Sequence, residues 1–154
     1  AEFQLIGVNC LETADLLANA LRQLGGQAFI VCGNGELDEV SLWGETTVNI
    51  IRAGTIEQTT WTARSFGLND VSLGDLQVAS PQESADRIRS VLENQPGPCR
   101  DIVVANTAAA LFAAGEEGDL TEAAQRVDET ISSGRAKTLF DRLVEHTQAN
   151  TPSR

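Results

Sequence analysis

An α/β fold is predicted by three features of this sequence: a capped amphipathic helix leading into a wholly apolar run, a hairpin rich in Thr, Ile and Val after it, and a second well-capped helix after that. In NCLETADLLANALRQLGG, Asn9 and Glu12 stand at capping-box spacing, Ala14, Leu17, Ala18, Leu21 and Leu24 share one face, and Gly25–Gly26 form the stop. AFIVC, at 28–32, is continuous and apolar, the pattern of a strand covered on both faces. TTVNIIRAGTIEQTTW reads as two strands joined by a short turn at Ala53–Gly54. In SPQESADRIRSVLENQPGP the expected cap is Ser80, Pro81 takes the first helical position, Glu83 completes the box, and Pro96-Gly97-Pro98 ends the helix.

The segment RDIVVANTAAALFAAG divides the signals. IVVA alone suits a strand, but the alanine-rich continuation to Gly115 gives the length of a helix, one buried nearly all round. Residues 119–132 place Leu120, Ala124, Val127 and Ile131 on one face, Gly134 breaks the run, and 136–147 continue with Leu139, Phe140, Leu143 and Val144. The tail ANTPSR, 149–154, is expected to fray. No internal repeat or low-complexity linker interrupts this order, and 154 residues suit one domain.

Charge narrows the function. The chain carries 22 acids against 11 bases, a net charge of −11, with no Lys/Arg cluster. Such a surface repels nucleic acid and anionic membrane, whose binding rests on cationic side chains. The apolar runs are too short for a membrane span and no signal peptide is visible, which leads to the expectation of a cytoplasmic enzyme or binding domain. An anionic ligand would need a bound divalent cation to reverse the local field.

Cys10, Cys32 and Cys99 are odd in number and widely spaced, so they suggest neither a disulfide framework nor a zinc site and read as buried apolar fillers in a reducing compartment. The single histidine, His146, reads as a solvated helix residue, and Ser-His-Asp or Cys-His catalysis within the chain is not expected. The chain has no methionine and opens AEFQLIGV on an apolar segment without a cap, which leads to the expectation that it is a piece of a longer polypeptide.

One stretch asks for more than folding. GNGELDEVS, at 33–41, follows the buried run with a glycine-flanked bend that holds two adjacent acids, Asp38 and Glu39. A turn needs glycine but not a carboxylate pair. On the residues alone, solvated turn acids are the plainer reading. Gly33 and Gly35 lack the third glycine of a dinucleotide fingerprint and read as turn geometry.

The ordered blocks QLIGV, a helix ending Leu-Gly, GELDEVSLWGET, the hairpin, FGL, PQESADRIRSVL, GPCRDIVVANTAAALFAAG and ISSGRAKTLFDRL resemble the C-terminal part of the anthranilate phosphoribosyltransferase family, from about residue 3 to 145. The resemblance implies an α/β domain with a mixed, mostly parallel sheet flanked by helices. It implies that residues 1–148 are the C-terminal part of that domain, and that an N-terminal helical domain and a glycine-rich diphosphate loop belong to a missing upstream portion. The implied reaction moves phosphoribosyl from phosphoribosyl pyrophosphate to anthranilate in tryptophan biosynthesis, with Mg²⁺ as cofactor and a homodimer as the complete form. Asp38 and Glu39 stand where the family's acidic pair helps hold magnesium against the pyrophosphate, and Mg²⁺ suits one or two carboxylates plus substrate phosphates.

This chain departs from the family in the same loop: Cys32-Gly33 replaces a frequent His-Gly, and Glu36 sits where glycine is common. Arg100 and Asp101 are expected to pair with one another or to cap their helix, and Asn106 to line the site or to be a satisfied core amide. Alone, the chain is expected to be inactive. The other readings are a non-catalytic assembly or regulatory relic of the family and a piece of a pyrimidine nucleoside phosphorylase-like enzyme.

Overall fold

The structure, a computed structural model, describes residues 3–149. Four strands, β1 (Leu5–Gly7), β2 (Ala28–Cys32), β3 (Thr46–Arg52) and β4 (Thr55–Trp61), form one sheet in chain order. Five helices surround them: α1 (Leu11–Gln23), α2 (Pro81–Leu92), α3 (Pro98–Ala113), α4 (Leu120–Ser132) and α5 (Arg135–Ala149). The sheet is mixed, as expected. Its balance differs, because β1–β2 is the parallel pairing while β2–β3 and β3–β4 are antiparallel. A hairpin needs only a tight turn, whereas the parallel pair requires the α1 crossover. The turn between β3 and β4 falls at Ala53–Gly54, both with left-handed φ (50° and 78°), which matches the strands' own twist.

Side-chain alternation along β2 sorts the apolar residues into two cores. Ala28, Ile30 and Cys32, with Ile51 of β3, meet Val8 and the Ala14 and Ala18 face of α1. Phe29, Val31 and Val48 face the opposite way, into a larger core with α3 and α4. In that core Phe29, Trp61 and Phe112 stand with ring centroids 5.7–6.1 Å apart. β2 is buried at every position, in accord with its unbroken apolar run.

Several local expectations need correction. Asn9 does not cap α1; Cys10 takes that place in an extended conformation, its thiol 3.0 Å from Thr13 Oγ1. Leu24 is 81% exposed, because the helix ends before that side chain can turn inward. Ser80 caps α2 as expected, accepting from Glu83 N, but the Glu83 carboxylate closes the box one residue upstream, on Ala79 N at 2.9 Å. Pro96-Gly97-Pro98 does not terminate α2, which ends at Leu92; it launches α3, with Gly97 as cap and Pro98 in the first turn. Nor is α3 buried all round: Val104, Ala105, Ala108 and Ala109 are at most 1% exposed, while Val103 and Ala110 face solvent. On α5, Leu139, Phe140 and Leu143 are exposed rather than core. Of the tail, Ala149 completes α5 and residues 150–154 lie outside the described residues.

Arg100 pairs not with Asp101 but with Asp128 of α4 at 2.7 Å, and also donates to Asn94 Oδ1 at 3.0 Å. Asp101, half-buried beside them, has its carboxyl held above the ordinary 3.8, first by burial and then by Asp128, against the opposing pull of Arg100. A raised carboxyl pKa means that the folded state binds the proton more tightly. Its contribution is therefore fully present below the unfolded pKa and is lost as pH rises through the folded one. Asp101→Asn is expected to stabilise the fold relative to the parent by an amount that grows as pH rises from about 4 toward neutrality, measured as denaturant midpoints across that range. The small residues of α3 give a second test. Ala109→Leu should cost about 1–3 kcal/mol by overpacking while Ala110→Leu stays within about 0.5 kcal/mol, read by thermal denaturation.

Candidate functional site

Because β1 and β2 are parallel, both end at one edge of the sheet, at Gly7 and Cys32. Ligands of open α/β sheets bind outside the carboxyl ends of such strands. The chain leaves this edge through residues 8–10 into α1 and through residues 33–45 into β3. The second excursion carries the acid pair.

Gly33 and Leu37 close the base of the loop as an isolated antiparallel bridge, with Gly33 N donating to Leu37 O at 2.7 Å. Asn34, Gly35 and Glu36 make the tip, where Gly35 and Glu36 adopt φ of 74° and 61°. Asp38 and Glu39 follow, both exposed. The chain then dives inward, and Val40, Ser41 and Leu42 are all 0% exposed. Ser41 N donates to Thr46 Oγ1 at 2.9 Å, and the Ser41 hydroxyl accepts from Asn34 N at 3.1 Å. Val40 N donates to Asn106 Oδ1 at 2.8 Å, and Val40 O accepts from Asn106 Nδ2 at 3.1 Å. Asn106 is thus a satisfied amide on α3, one of the two alternatives open from sequence.

Two glycines let this backbone lie against the strand ends. A Cβ on Gly7 would overlap the Asp38 carbonyl, and one on Gly33 would overlap the carbonyl of Glu39. Sequence reasoning missed Gly7, although a glycine inside the apolar run LIGV was the available signal of close backbone approach. Ser41 and Thr46 were missed as well, since nothing in a Ser or Thr codes for a partner five residues away.

Among the described residues no Lys or Arg forms an ion pair with Asp38 or Glu39; the cations that do pair meet Glu83, Asp86, Asp128, Glu116, Glu117 and Asp141. The two carboxylates therefore keep their negative charge open to solvent. Nor do three or more His, Cys, Asp or Glu gather among the described residues to hold a metal by themselves. That donor set fits Mg²⁺, which is commonly held by one or two carboxylates, several waters and substrate phosphate, and it does not fit an ion that demands an all-protein cage. Beside the loop, a cleft of about 500 Å³ opens between the start of α1 and the loop tip, lined by Cys10, Cys32, Gly35, Glu36, Glu45 and Thr47. Asp38 and Glu39 lie outside that lining. The larger hollow of about 620 Å³, between α2 and α5, includes no residue of the acid loop.

Burial pushes the Cys32 thiol up, with Cys10 and Glu36 adding to the effect. Cys32 is thus a neutral filler, as expected, whereas Cys10 and Cys99 are only half-buried. His146 is exposed on α5.

Residues 1–137 match the family model described as glycosyl transferase family, a/b domain. Anthranilate phosphoribosyltransferase of Laribacter hongkongensis is 38% identical over 148 residues, covering 96% of this chain and 43% of that protein. The Rhodospirillum rubrum enzyme of the same name is 39% identical over 145 residues, with 94% and 42% covered. Among solved structures, anthranilate phosphoribosyltransferase from Saccharomyces cerevisiae in complex with PRPP and Mg superposes with a TM-score of 0.84 at 26% identity, covering 96% of this chain and 43% of that one. The enzyme from Thermus thermophilus gives 0.80 at 32% identity, covering 90% and 41%. The chain thus spans about two fifths of the length of these relatives.

Glu36 gives the site its own test. A non-glycine residue at left-handed φ carries local strain, and among the described residues no hydrogen bond or ion pair holds this exposed side chain in place. Glu36→Gly should raise stability by up to about 1 kcal/mol, seen as a higher denaturant midpoint at unchanged slope.

Proposed function

The chain belongs to the glycosyl transferase family, whose a/b-domain model matches residues 1–137, and from that membership we propose that it is the C-terminal part of an anthranilate phosphoribosyltransferase. The reaction would join phosphoribosyl, taken from phosphoribosyl pyrophosphate, to the amine of anthranilate, with pyrophosphate leaving, in tryptophan biosynthesis. The observation that carries this reading is an unneutralised carboxylate pair, Asp38 and Glu39, held by buried backbone at the shared carboxyl edge of β1 and β2.

Asp38 and Glu39 would hold Mg²⁺. When bound, that ion offsets the charge that grows on the diphosphate as the glycosidic carbon becomes cation-like. The work of the chain itself is positional. Gly7 and Gly33 bring the loop backbone against the strand ends, Ser41 and Thr46 anchor its far side, and the two carboxylates project into solvent where a diphosphate can arrive. Adjacent side chains on a bend diverge, so each oxygen donor would reach a different part of the ion's hydration shell or a second ion. Such a pair also explains how a chain with net charge −11 would accept a polyanion. No group here serves as nucleophile or general base in this reading; rate would come from orientation and electrostatics, which require groups on the opposite side of the substrate as well.

The test is anthranilate consumption followed by fluorescence, with phosphoribosyl pyrophosphate and Mg²⁺ present. The 154-residue chain alone should be inactive, and adding the N-terminal portion of a related enzyme as a separate chain should restore turnover. In the restored enzyme, Asp38→Ala with Glu39→Ala should lower turnover on the order of 100-fold with an unchanged thermal midpoint. Full magnesium-dependent turnover by that double variant would remove the two acids from the site.

A further inference from the structure

We propose that Asn106 is a positioning residue for the carboxylate pair: its side-chain amide, carried on α3, fixes the peptide that follows Glu39 and so the direction in which Glu39 leaves the loop beside Asp38. The inference rests on the metal-holding role given above to those two acids, but its geometry stands apart from that role.

The amide makes three hydrogen bonds at once. Nδ2 donates to Ile102 O at 3.1 Å, one helical turn back, which fixes the side chain to its own helix. Its other proton goes to Val40 O at 3.1 Å, and Oδ1 accepts from Val40 N at 2.8 Å. Both donor protons and an acceptor lone pair are in use, so the opposite amide orientation would set an NH₂ against Val40 N–H and an oxygen against two carbonyls. Only one rotamer of one residue type meets this demand. Asp supplies no donor, Leu supplies neither group, and Gln is longer by a methylene.

What separates this from an ordinary satisfied amide is the identity of its partner. Val40 directly follows Glu39 and is 0% exposed, so in the folded chain Asn106 and not water satisfies its polar groups. By holding both polar groups of Val40, Asn106 fixes the Glu39–Val40 peptide and with it the backbone torsions that aim the Glu39 side chain. At the other end of the pair, the loop is held by the Gly33–Leu37 bridge and by Asn34, which donates to Ser41 Oγ and Trp43 O, and the tip carries the left-handed Glu36. Without Asn106, the loop keeps the base and the Ser41–Thr46 anchor but loses control of the peptide between them. Groups that orient metal ligands from behind typically change metal affinity or activity by about 10–100-fold when removed.

The experiment uses the 154-residue chain, with Mn²⁺ as the spectroscopic probe and inorganic pyrophosphate as the companion anion. Parent, Asn106→Ala, Asn106→Leu, Asp38→Asn and a control, Arg100→Ala, are compared by electron paramagnetic resonance titration, amide hydrogen exchange and thermal denaturation. The control breaks a bond between α3 and α4 that lies away from the loop. Both Asn106 variants should weaken Mn²⁺–pyrophosphate binding by about tenfold or more and should speed exchange at Val40, while Arg100→Ala changes neither. Slow exchange at Val40 in Asn106→Leu, which removes both the acceptor and the donor while keeping the branched shape, or equal loss of binding in Arg100→Ala, would overturn the proposal. If Asn106→Ala does not fold, Asn106→Leu decides by the same two readings, and failure of both to fold while Arg100→Ala folds would assign Asn106 to global stability and overturn the proposal. If parent and Asp38→Asn bind Mn²⁺ alike, the metal role of the pair fails instead, and Val40 exchange still reports on the Asn106 clamp.

Discussion

The inward turn at Val40 is the constraint on which the arrangement of this chain depends. A loop normally stays at the surface because its peptide groups need water. Here the strand-ending loop must instead deliver Val40 and Leu42 into the core that β2 shares with α3 and α4. Once those residues are buried, every backbone group around them needs a protein partner. Asn106 serves Val40, Thr46 serves Ser41, and the Leu42 carbonyl accepts from Val71 N at 3.0 Å. Two distant parts of the sequence and the start of β3 are thereby tied to one short segment, and the two residues just before it, Asp38 and Glu39, inherit a fixed origin while their side chains remain in water.

Charge distribution complements that geometry. Acids outnumber bases by two to one, and five of the cations, Arg87, Arg89, Arg100, Arg126 and Lys137, are engaged in ion pairs on the helices. Most of these pairs are solvated and add little stability. Their effect on the site is indirect: these cations are matched to acids elsewhere, and among the described residues none pairs with Asp38 or Glu39 at the carboxyl edge of the sheet. A divalent cation is drawn to such an edge, whereas a free polyphosphate is repelled until the cation is there.

How much of this was legible depended on how local the determining physics is. β2 showed itself through five consecutive apolar residues, the hairpin through its turn, and α2 through Ser80, Pro81 and Glu83, because each signal lies within a few residues of the structure it specifies. α3 was recognisable by length, yet its exposed side was not, since Val103 and Ala110 differ from Val104 and Ala109 only in which way the helix turns relative to the sheet. The start of α1 misled because Asn9 offered a better capping side chain than Cys10, while the chain leaving β1 decided the register. At the site, the acid pair was visible as a surplus of carboxylates in a bend, but what holds it was not. The bond from Asn106 to Val40 spans 66 residues, and the close approaches at Gly7 and Gly33 exist only once β1 and β2 are side by side. The family resemblance supplied the role that composition and spacing left open.

Adjacency of the two acids has a further consequence for any ion they hold. Successive residues cannot aim both carboxylates at one point as residues on facing helices do, and no third His, Cys, Asp or Glu converges with them among the described residues. The protein therefore offers too few donors to strip Mg²⁺ of its water, an ion that gives up its hydration reluctantly and demands near-octahedral geometry. Phosphate oxygens are the natural source of the remaining ligands. In the proposed site, affinity for the ion and affinity for the diphosphate would then be coupled, each rising when the other is present, as reciprocity of binding free energies requires. A rigid loop strengthens that coupling, because carboxylates already held in place lose less freedom when the ion and anion arrive together. In this fold the buried turn at Val40 supplies that rigidity without using either carboxylate to obtain it.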